Sequence, residues 1–211
     1  IIPNKDQVES LDKCLESIEK SSYKNYEIII VENNSTEDAT FAYYKKIESD
    51  KIRIVYWSDE FNYSAINNFG VKEAKGDYIL LLNNDTKILD KDSLGDMLGY
   101  CMRPEVGIVG SKLIYGDGTI QHAGVILGLG GIAGHAFIGL DAKEYGYMSR
   151  AYLSCDYTAV TAACLMVPKA VFDEVGGLCE EYAVAFNDVD LCMKVRSKGY
   201  LVVYDAFSQW Y

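Results

Sequence analysis

The sequence is poor in positive charge and in proline. Its 20 lysines and arginines stand against 31 aspartates and glutamates, which gives a formal net charge of −11. Nucleic acids and anionic membranes attract basic surfaces, so this balance argues against either as the main partner. Only three prolines occur in 211 residues, and 49% of the residues are hydrophobic, which indicates a globular domain rather than a disordered segment.

The six cysteines contain no Cys-x-x-Cys pair, which argues against a disulfide framework or a zinc site. Free, buried thiols are typical of a reducing compartment, so a cytoplasmic location is expected. The sequence also lacks an apolar run long enough to cross a membrane. Because Ile1 reads as the middle of a strand and Tyr211 closes an aromatic segment, we expect one domain that is clipped at both ends.

One stretch stands out among the apolar segments. Tyr78–Leu82 is hydrophobic without polar alternation, which is typical of a strand buried on both faces. It ends abruptly at Asn83, Asn84 and Asp85, which places amide and carboxylate oxygens at the carboxyl edge of a sheet, where open α/β folds bind ligands. A loop or a helix cap is the alternative explanation for these residues.

Alternating strands and helices predict an α/β fold with a mostly parallel central sheet and helices on both faces. The first half predicts strands at Ile1–Ile2, Tyr26–Val31, Ile52–Trp57 and Tyr78–Leu82, and helices at 7–20, about 36–47 and 64–75, with Ser35 or Thr36 as the cap of the second helix. The second strand ends in Glu32, so two strands place acidic groups on the same carboxyl edge. This co-location favours a ligand site there.

The second half of the chain is less regular. It predicts strands at Val106–Tyr115, Tyr157–Val167 and Leu201–Tyr204, with a last helix ending near Lys198. Residues 116–150 are rich in glycine, which indicates long loops or a hairpin. Gly128–Ala133 matches a dinucleotide-binding pattern by letter, but Gly134 and Gly139 interrupt the helix that should follow, so a surface loop is expected.

Four motifs in this order resemble the family-2 glycosyltransferases: Ile2–Asn4, Ile30–Thr36, Ala74–Asp85 and Asn187–Leu191. The resemblance implies a GT-A fold with a nucleotide-sugar-binding half (about 1–115) and a more variable acceptor-binding half (about 116–211). It also implies inverting transfer of a sugar from a UDP- or dTDP-sugar donor to a glycan or lipid-linked acceptor in cell-surface polysaccharide synthesis. Such an enzyme would use Mn²⁺ or Mg²⁺ and could work at the inner face of the membrane.

The resemblance also assigns roles to individual residues. Asp85 is the expected metal ligand and Asp188 the expected base that takes the proton of the acceptor hydroxyl. The residues expected to bind the nucleotide sugar are Pro3, Asn4, Glu32, Asn34, Asn83 and Asn84. Asp188 follows Asn187 rather than an acidic residue, and it could alternatively cap the last helix.

Other interpretations remain open at the level of sequence. His122 and His135 could contact a ligand or serve a structural role. A module that keeps the fold and binds a nucleotide sugar without turnover is one alternative function. A sugar nucleotidyltransferase is another, but it should carry a glycine-rich basic loop after the first strand, and Pro3–Asp6 is not one.

Overall fold

A computed structural model describes residues 1–211 as an α/β fold. The strands are β1 (Ile2–Asn4), β2 (Ile28–Glu32), β3 (Ile52–Tyr56), β4 (Tyr78–Leu82), β5 (Val106–Ile114), β6 (Ile120–His122), β7 (Val125–Leu127), β8 (Ala133–His135), β9 (Cys155–Asp156), β10 (Cys164–Pro168) and β11 (Leu201–Trp210). The helices are α1 (Val8–Glu19), α2 (Asp38–Ile47), α3 (Tyr63–Glu73), α4 (Ser93–Cys101), α5 (Lys169–Glu174) and α6 (Asn187–Ser197). No helix is both long and apolar enough to span a lipid bilayer.

The first four strands run parallel, as the alternating pattern predicts. β2 lies between β1 and β3 and pairs in parallel with both. Ile1 joins this sheet to β4, because its nitrogen donates to the carbonyl of Leu80 at 2.8 Å and its carbonyl accepts from the N–H of Leu82 at 3.0 Å. This is the hydrogen-bond pattern of a parallel pair, so the carboxyl ends of all four strands lie at one edge.

A mixed sheet has the strand order β4-β10-β5-β11-β9, with β6 paired to β5, and β7 and β8 form a separate two-stranded sheet. β10 lies between β4 and β5 and is antiparallel to both, whereas β11 is parallel to β5. The prediction of one strand over Tyr157–Val167 was wrong in its first part. Residues 157–163 are irregular, and single hydrogen bonds such as Val125 N–H to the Ala159 carbonyl at 2.8 Å hold this buried segment.

Apolar residues pack on both faces of the sheet. In β4, Ile79 and Leu81 belong to a cluster that also contains residues of α5 and α6, while Leu82 belongs to a second cluster with residues of α1 and α4. Opposite orientation of successive strand residues produces this division. The uninterrupted apolar run of β4 therefore reflects burial on both faces, as predicted.

The N-terminus of α2 is capped from outside its own segment, which corrects the expected cap at Ser35 or Thr36. The carboxylate of Asp6 accepts the N–H groups of Thr36 at 2.9 Å and Glu37 at 3.0 Å. These hydrogen bonds, led by the one from Glu37, lower the pKa of Asp6. The hydroxyl of Ser35 is instead directed to Glu32.

The glycine-rich segment forms a hairpin of β7 and β8, in agreement with one of the two predicted structures. Gly128 donates its N–H to the carbonyl of Ile132 at 2.8 Å and closes the turn. Residues 126–132 are exposed and no helix follows them. The letter match at Gly128–Ala133 is therefore a surface turn, as expected.

Candidate active site

A cleft of about 420 Å³ opens at the carboxyl ends of β1 and β4. Its walls combine loops that follow these strands with the segment before β10 and the start of α6. The cleft is lined by Pro3, Asn4, Lys5, Asn33, Phe61, Tyr63, Ile66, Asn83, Asn84, Asp85, Thr161, Ala162, Ala163, Val184, Asn187 and Asp188. Six of the eight residues predicted to form a site are in this lining: Pro3, Asn4, Asn83, Asn84, Asp85 and Asp188.

The turn after β4 is anchored on three sides. The N–H of Asn83 donates to the carbonyl of Ala163 at 3.0 Å, and the carbonyl of Asn83 accepts from the hydroxyl of Thr86 at 2.8 Å. The side-chain amide of Asn84 donates to the side-chain oxygen of Asn4 at 2.6 Å. Asp85 stays exposed. The turn therefore presents one free carboxylate from a rigid backbone.

Asp188 lies at the start of α6 and faces the same cleft. Its Oδ2 accepts the N–H of Ala162 at 3.2 Å, and its Oδ1 accepts the N–H of Val189 at 2.8 Å. The second contact resembles a helix cap, while the first ties the carboxylate to the segment before β10, which also lines the cleft. Burial and the nearby negative charge of Asp188 raise the pKa of Tyr63, which also lines the cleft.

The residue that enters α6 has an unusual backbone. Phe186 has φ 63° and ψ 4°, in the left-handed region. Such a conformation in a bulky residue is strained, and strained residues of this kind cluster at active sites, ligand clamps and switch regions. Here it directs the chain into Asn187, whose side-chain oxygen accepts the N–H of Asp188 at 2.8 Å.

Glu32 and Asn34 do not line the cleft. Glu32 is 2% exposed, and its carboxylate accepts hydrogen bonds from the N–H and the hydroxyl of Ser35 and from the hydroxyl of Tyr44. Asn34 is exposed and donates to the carbonyl of Asp59 at 2.9 Å, joining the loops after β2 and β3. The Glu32 carboxylate is committed to bonds within the chain, whereas Asn34 uses only its Nδ2 group in such bonds. Contact of either side chain with a nucleotide stays a prediction.

His122 and His135 form a pair behind the cleft. Their Nδ1 atoms are 3.2 Å apart, and Nε2 of His122 accepts the N–H of Thr161 at 3.4 Å. Burial lowers the pKa of His122 well below its usual range, and the neighbouring His135 lowers it further. His122 does not line the cleft but supports the segment that forms one of its walls.

The family described as glycosyl transferase family 2 matches residues 1–175. The chain belongs to this family. The O-antigen biosynthesis protein RfbC of Myxococcus xanthus is 36% identical over 211 residues, which cover 98% of this chain and 16% of that protein. The chain spans less than a quarter of the length of the first curated relatives that it matches.

Solved structures share the fold of this glycosyltransferase-family domain. The mannosyltransferase of Pyrobaculum calidifontis in complex with GDP-Man and Mn²⁺ superposes with a TM-score of 0.73 at 12% identity, covering 99% of this chain and 54% of that chain. GalNAc-T7 with UDP, GalNAc and Mn²⁺ gives a TM-score of 0.79 at 11% identity, covering 99% of this chain and 42% of that chain. The fold is GT-A, as the sequence motifs predict.

The arrangement of acidic side chains in this family-2 domain determines which kind of metal site it can form. Nowhere in the chain do three acidic, histidine or cysteine side chains cluster around one point. Mg²⁺ and similar hard cations are commonly held by one or two carboxylates together with substrate phosphates, so a site of this kind needs no cluster. The exposed carboxylate of Asp85 fits such an arrangement.

Sequence reasoning missed the aromatic part of the site. Phe61 and Tyr63 line the cleft, and the buried Tyr44 contacts Asn4 and Glu32 beneath it. The chain contains 17 tyrosines, and Tyr44 occupies a helix position that core packing alone would explain. Only its hydrogen bonds to Asn4 and Glu32, at the ends of β1 and β2, distinguish Tyr44 from a tyrosine that packs in the core.

Proposed function

We propose that the chain is a catalytic domain that transfers a sugar from a nucleotide diphosphate donor to a hydroxyl group of a glycan or lipid-linked acceptor, with inversion at the sugar carbon. The observation that carries this proposal is the meeting of the Asn83–Asp85 turn and Asp188 on one cleft, although they are far apart in the chain. The turn suits the diphosphate of a nucleotide-sugar donor, and the carboxylate of Asp188 suits a general base. Inverting transfer needs both on opposite sides of the sugar.

The donor side of the cleft carries several amide side chains. Pro3 offers a rigid ring, and Asn83 and Asn84 offer side-chain amides, which suit a nucleoside and its ribose. Asn4 contributes through its hydrogen bond to Asn84. The two structural neighbours were solved with GDP-Man and with UDP, each with Mn²⁺, which supports the same class of ligand here. We propose a UDP- or dTDP-sugar as the donor.

Asp85 would hold a Mn²⁺ or Mg²⁺ ion together with oxygens of the donor diphosphate, with Asn83 as a hydrogen-bonding neighbour. When bound, such an ion offsets the negative charge that develops on the leaving diphosphate. The formal net charge of −11 makes this offset important, since the protein field repels a diphosphate.

Asp188 acts as the base in this proposal. As the acceptor oxygen forms its bond to the sugar carbon and the bond to the diphosphate breaks, the hydroxyl proton moves to the Asp188 carboxylate. The N–H groups of Ala162 and Val189 hold this carboxylate in place at the cleft. A positioned base of this type contributes about 10²–10⁴-fold to a rate.

The acceptor side is proposed to lie in residues 116–211. Tyr145, Tyr147 and Tyr152 are 59%, 75% and 47% exposed there, and aromatic faces of this kind suit sugar rings. The similar protein RfbC is named as an O-antigen biosynthesis protein, which supports a role of this domain in cell-surface polysaccharide assembly. Work on a lipid-linked acceptor would place the domain at the inner face of a membrane.

The test is turnover of the donor. The protein is incubated with UDP-, dTDP- and GDP-sugars, with Mn²⁺ or with EDTA, and released nucleotide diphosphate is quantified by chromatography. Release that requires Mn²⁺ and rises with a glycan acceptor is the expected result. Binding of a nucleotide sugar without release under any condition would instead identify a binding module. Synthesis of a nucleotide sugar from a nucleoside triphosphate would identify a nucleotidyltransferase.

A further inference from the structure

A chain of buried hydrogen bonds connects Glu32 to the edge of the cleft. The hydroxyl of Tyr44 donates to Oε2 of Glu32 at 2.6 Å and accepts from Nδ2 of Asn4 at 2.7 Å. Nδ2 of Asn84 then donates to Oδ1 of Asn4 at 2.6 Å. Tyr44, Glu32 and Asn4 are at most 3% exposed, whereas Asn84 lines the cleft.

We propose that Glu32 and Tyr44 are positioning residues, which act through Asn4 to make Asn84 present its side-chain oxygen to the ligand. The hydrogen-bonded chain from Glu32 through Tyr44 and Asn4 to Asn84 is called the relay here. The identity of the ligand rests on the proposed function, but the existence of the relay does not. In this arrangement Glu32 influences nucleotide binding without touching the nucleotide.

The carboxylate of Glu32 determines which group donates and which accepts in every hydrogen bond of the relay. A carboxylate can only accept, so the Tyr44 hydroxyl must donate to Glu32. The tyrosine oxygen is then free to accept, and the Asn4 side chain must turn its NH₂ group toward it. The Asn4 oxygen therefore faces Asn84, which has to donate its own NH₂.

This order leaves Asn84 with a fixed polarity at the cleft. One hydrogen of its NH₂ group is donated to Asn4, which fixes the orientation of the amide, and its Oδ1 makes no hydrogen bond within the chain. The ligand atom facing Oδ1 must accordingly be a hydrogen-bond donor, such as a hydroxyl of a ribose or a sugar. A carbonyl or phosphate oxygen at the same place would be repelled.

Replacing Glu32 by Gln should reverse the relay. The backbone N–H of Ser35 donates to Oε1 of Glu32 and cannot change its role, so the Gln oxygen has to stay there. The Gln NH₂ group then occupies the place of Oε2 and faces the hydroxyls of Tyr44 and Ser35, both of which have to accept from it. Tyr44 must donate to Asn4, Asn4 must rotate its amide, and Asn84 must turn its NH₂ group toward the ligand.

The first experiment measures affinity for UDP with Mn²⁺ by calorimetry in the wild type, Glu32→Gln and Tyr44→Phe. Glu32→Gln should weaken binding on the order of tenfold, because a donor replaces an acceptor at the ligand. Tyr44→Phe interrupts the relay and should weaken binding severalfold. The matched control is Tyr43→Phe, which removes a hydroxyl that donates to Asp12 at 2.7 Å away from the cleft and should leave affinity unchanged.

The second experiment reads the relay without any ligand. With ¹⁵N-labelled asparagine, the side-chain NH₂ signals of Asn4 and Asn84 should shift in Glu32→Gln and Tyr44→Phe but not in Tyr43→Phe. Unchanged signals in folded variants, or shifted signals with unchanged UDP affinity, would overturn the proposal. If the wild type binds no nucleotide diphosphate, the proposed function fails, and the NMR comparison alone decides the relay.

Discussion

Replacement of Asp188 by Asn separates a catalytic role from a structural one. Asn keeps the size of the side chain but replaces one carboxylate oxygen by NH₂. The remaining oxygen can still accept the N–H of Val189, so the NH₂ group faces the N–H of Ala162, which loses its acceptor. The variant thus loses one hydrogen bond and the ability to take a proton.

The two losses have different magnitudes. A backbone N–H left without a partner costs about 1–3 kcal/mol in the free energy of unfolding, and the partial exposure of Asp188 allows water to reduce this toward the lower end. Loss of a positioned base lowers the rate by about 10²–10⁴-fold, which corresponds to a barrier higher by about 2.7–5.4 kcal/mol. The loss of stability does not slow turnover as long as the protein is folded.

The assay compares kcat for sugar transfer, the UDP dissociation constant and urea unfolding in the wild type and Asp188→Asn. We expect a large decrease in kcat, little change in UDP affinity and a small decrease in stability. Asp190→Asn is the matched control. Asp190 lies in the same helical turn and pairs with Lys194 at 2.8 Å, but it does not line the cleft, so its variant should retain the rate.

A different outcome would refute the reasoning. If Asp188→Asn transfers sugar within about threefold of the wild type while its unfolding free energy decreases, Asp188 caps α6 and does not act as the base; positioned bases contribute far more than this. An equal decrease of kcat in Asp190→Asn would show that the first turn of α6, rather than one carboxylate, controls the rate.

Four further predictions concern the metal, the histidine pair, the core and an exposed position in a helix. Asp85→Asn should abolish the Mn²⁺-dependent part of UDP affinity in calorimetry and leave the melting temperature unchanged, because the side chain is exposed. The pKa of His122 is depressed in the fold, so its contribution to the free energy of unfolding is present above about pH 6.5. This contribution is lost as the pH falls below that value, by up to about 1.4 kcal/mol per pH unit. His122→Gln should flatten this pH dependence in urea titrations, and an unchanged slope would contradict the prediction. In β5, a Cβ on Gly110 would lie 2.4 Å from Cβ of Val160, so Gly110→Ala should lower the unfolding free energy by about 1–3 kcal/mol. Gly99→Ala in α4 meets nothing within 4 Å and should raise it by about 0.5–1 kcal/mol.

Much of the first half of the chain, and the start of α6, could be predicted because each element there has a local signal. The apolar run of β4 and its polar end predicted both the strand and the turn at the cleft. The motif at Asn187–Leu191 predicted that Asp188 would start a helix, and the structure places it on the same cleft as Asp85. The roles of these two carboxylates remain predictions that the experiments above address.

Other features depend on contacts between distant segments. Glu32 follows a strand in the sequence, where an acidic residue is expected to be exposed. In the structure it is buried and accepts three hydrogen bonds from Ser35 and Tyr44. The cap of α2 comes from Asp6, 31 residues before Glu37. The final strand was predicted to end at Tyr204, but β11 continues to Trp210 across a register shift. None of these outcomes follows from local propensity.

The position of β10 has a consequence for biosynthesis of the chain. β4 and β5 emerge from the ribosome first, and both present apolar strands whose facing edges are unpaired until Cys164–Pro168 is inserted between them. At synthesis rates of about 5–20 residues per second, this exposure lasts several seconds. Unpaired edges of this kind favour association with other chains. While the residues between β5 and β10 are being synthesised, the nascent chain therefore carries two unpaired apolar strand edges that can associate with other chains.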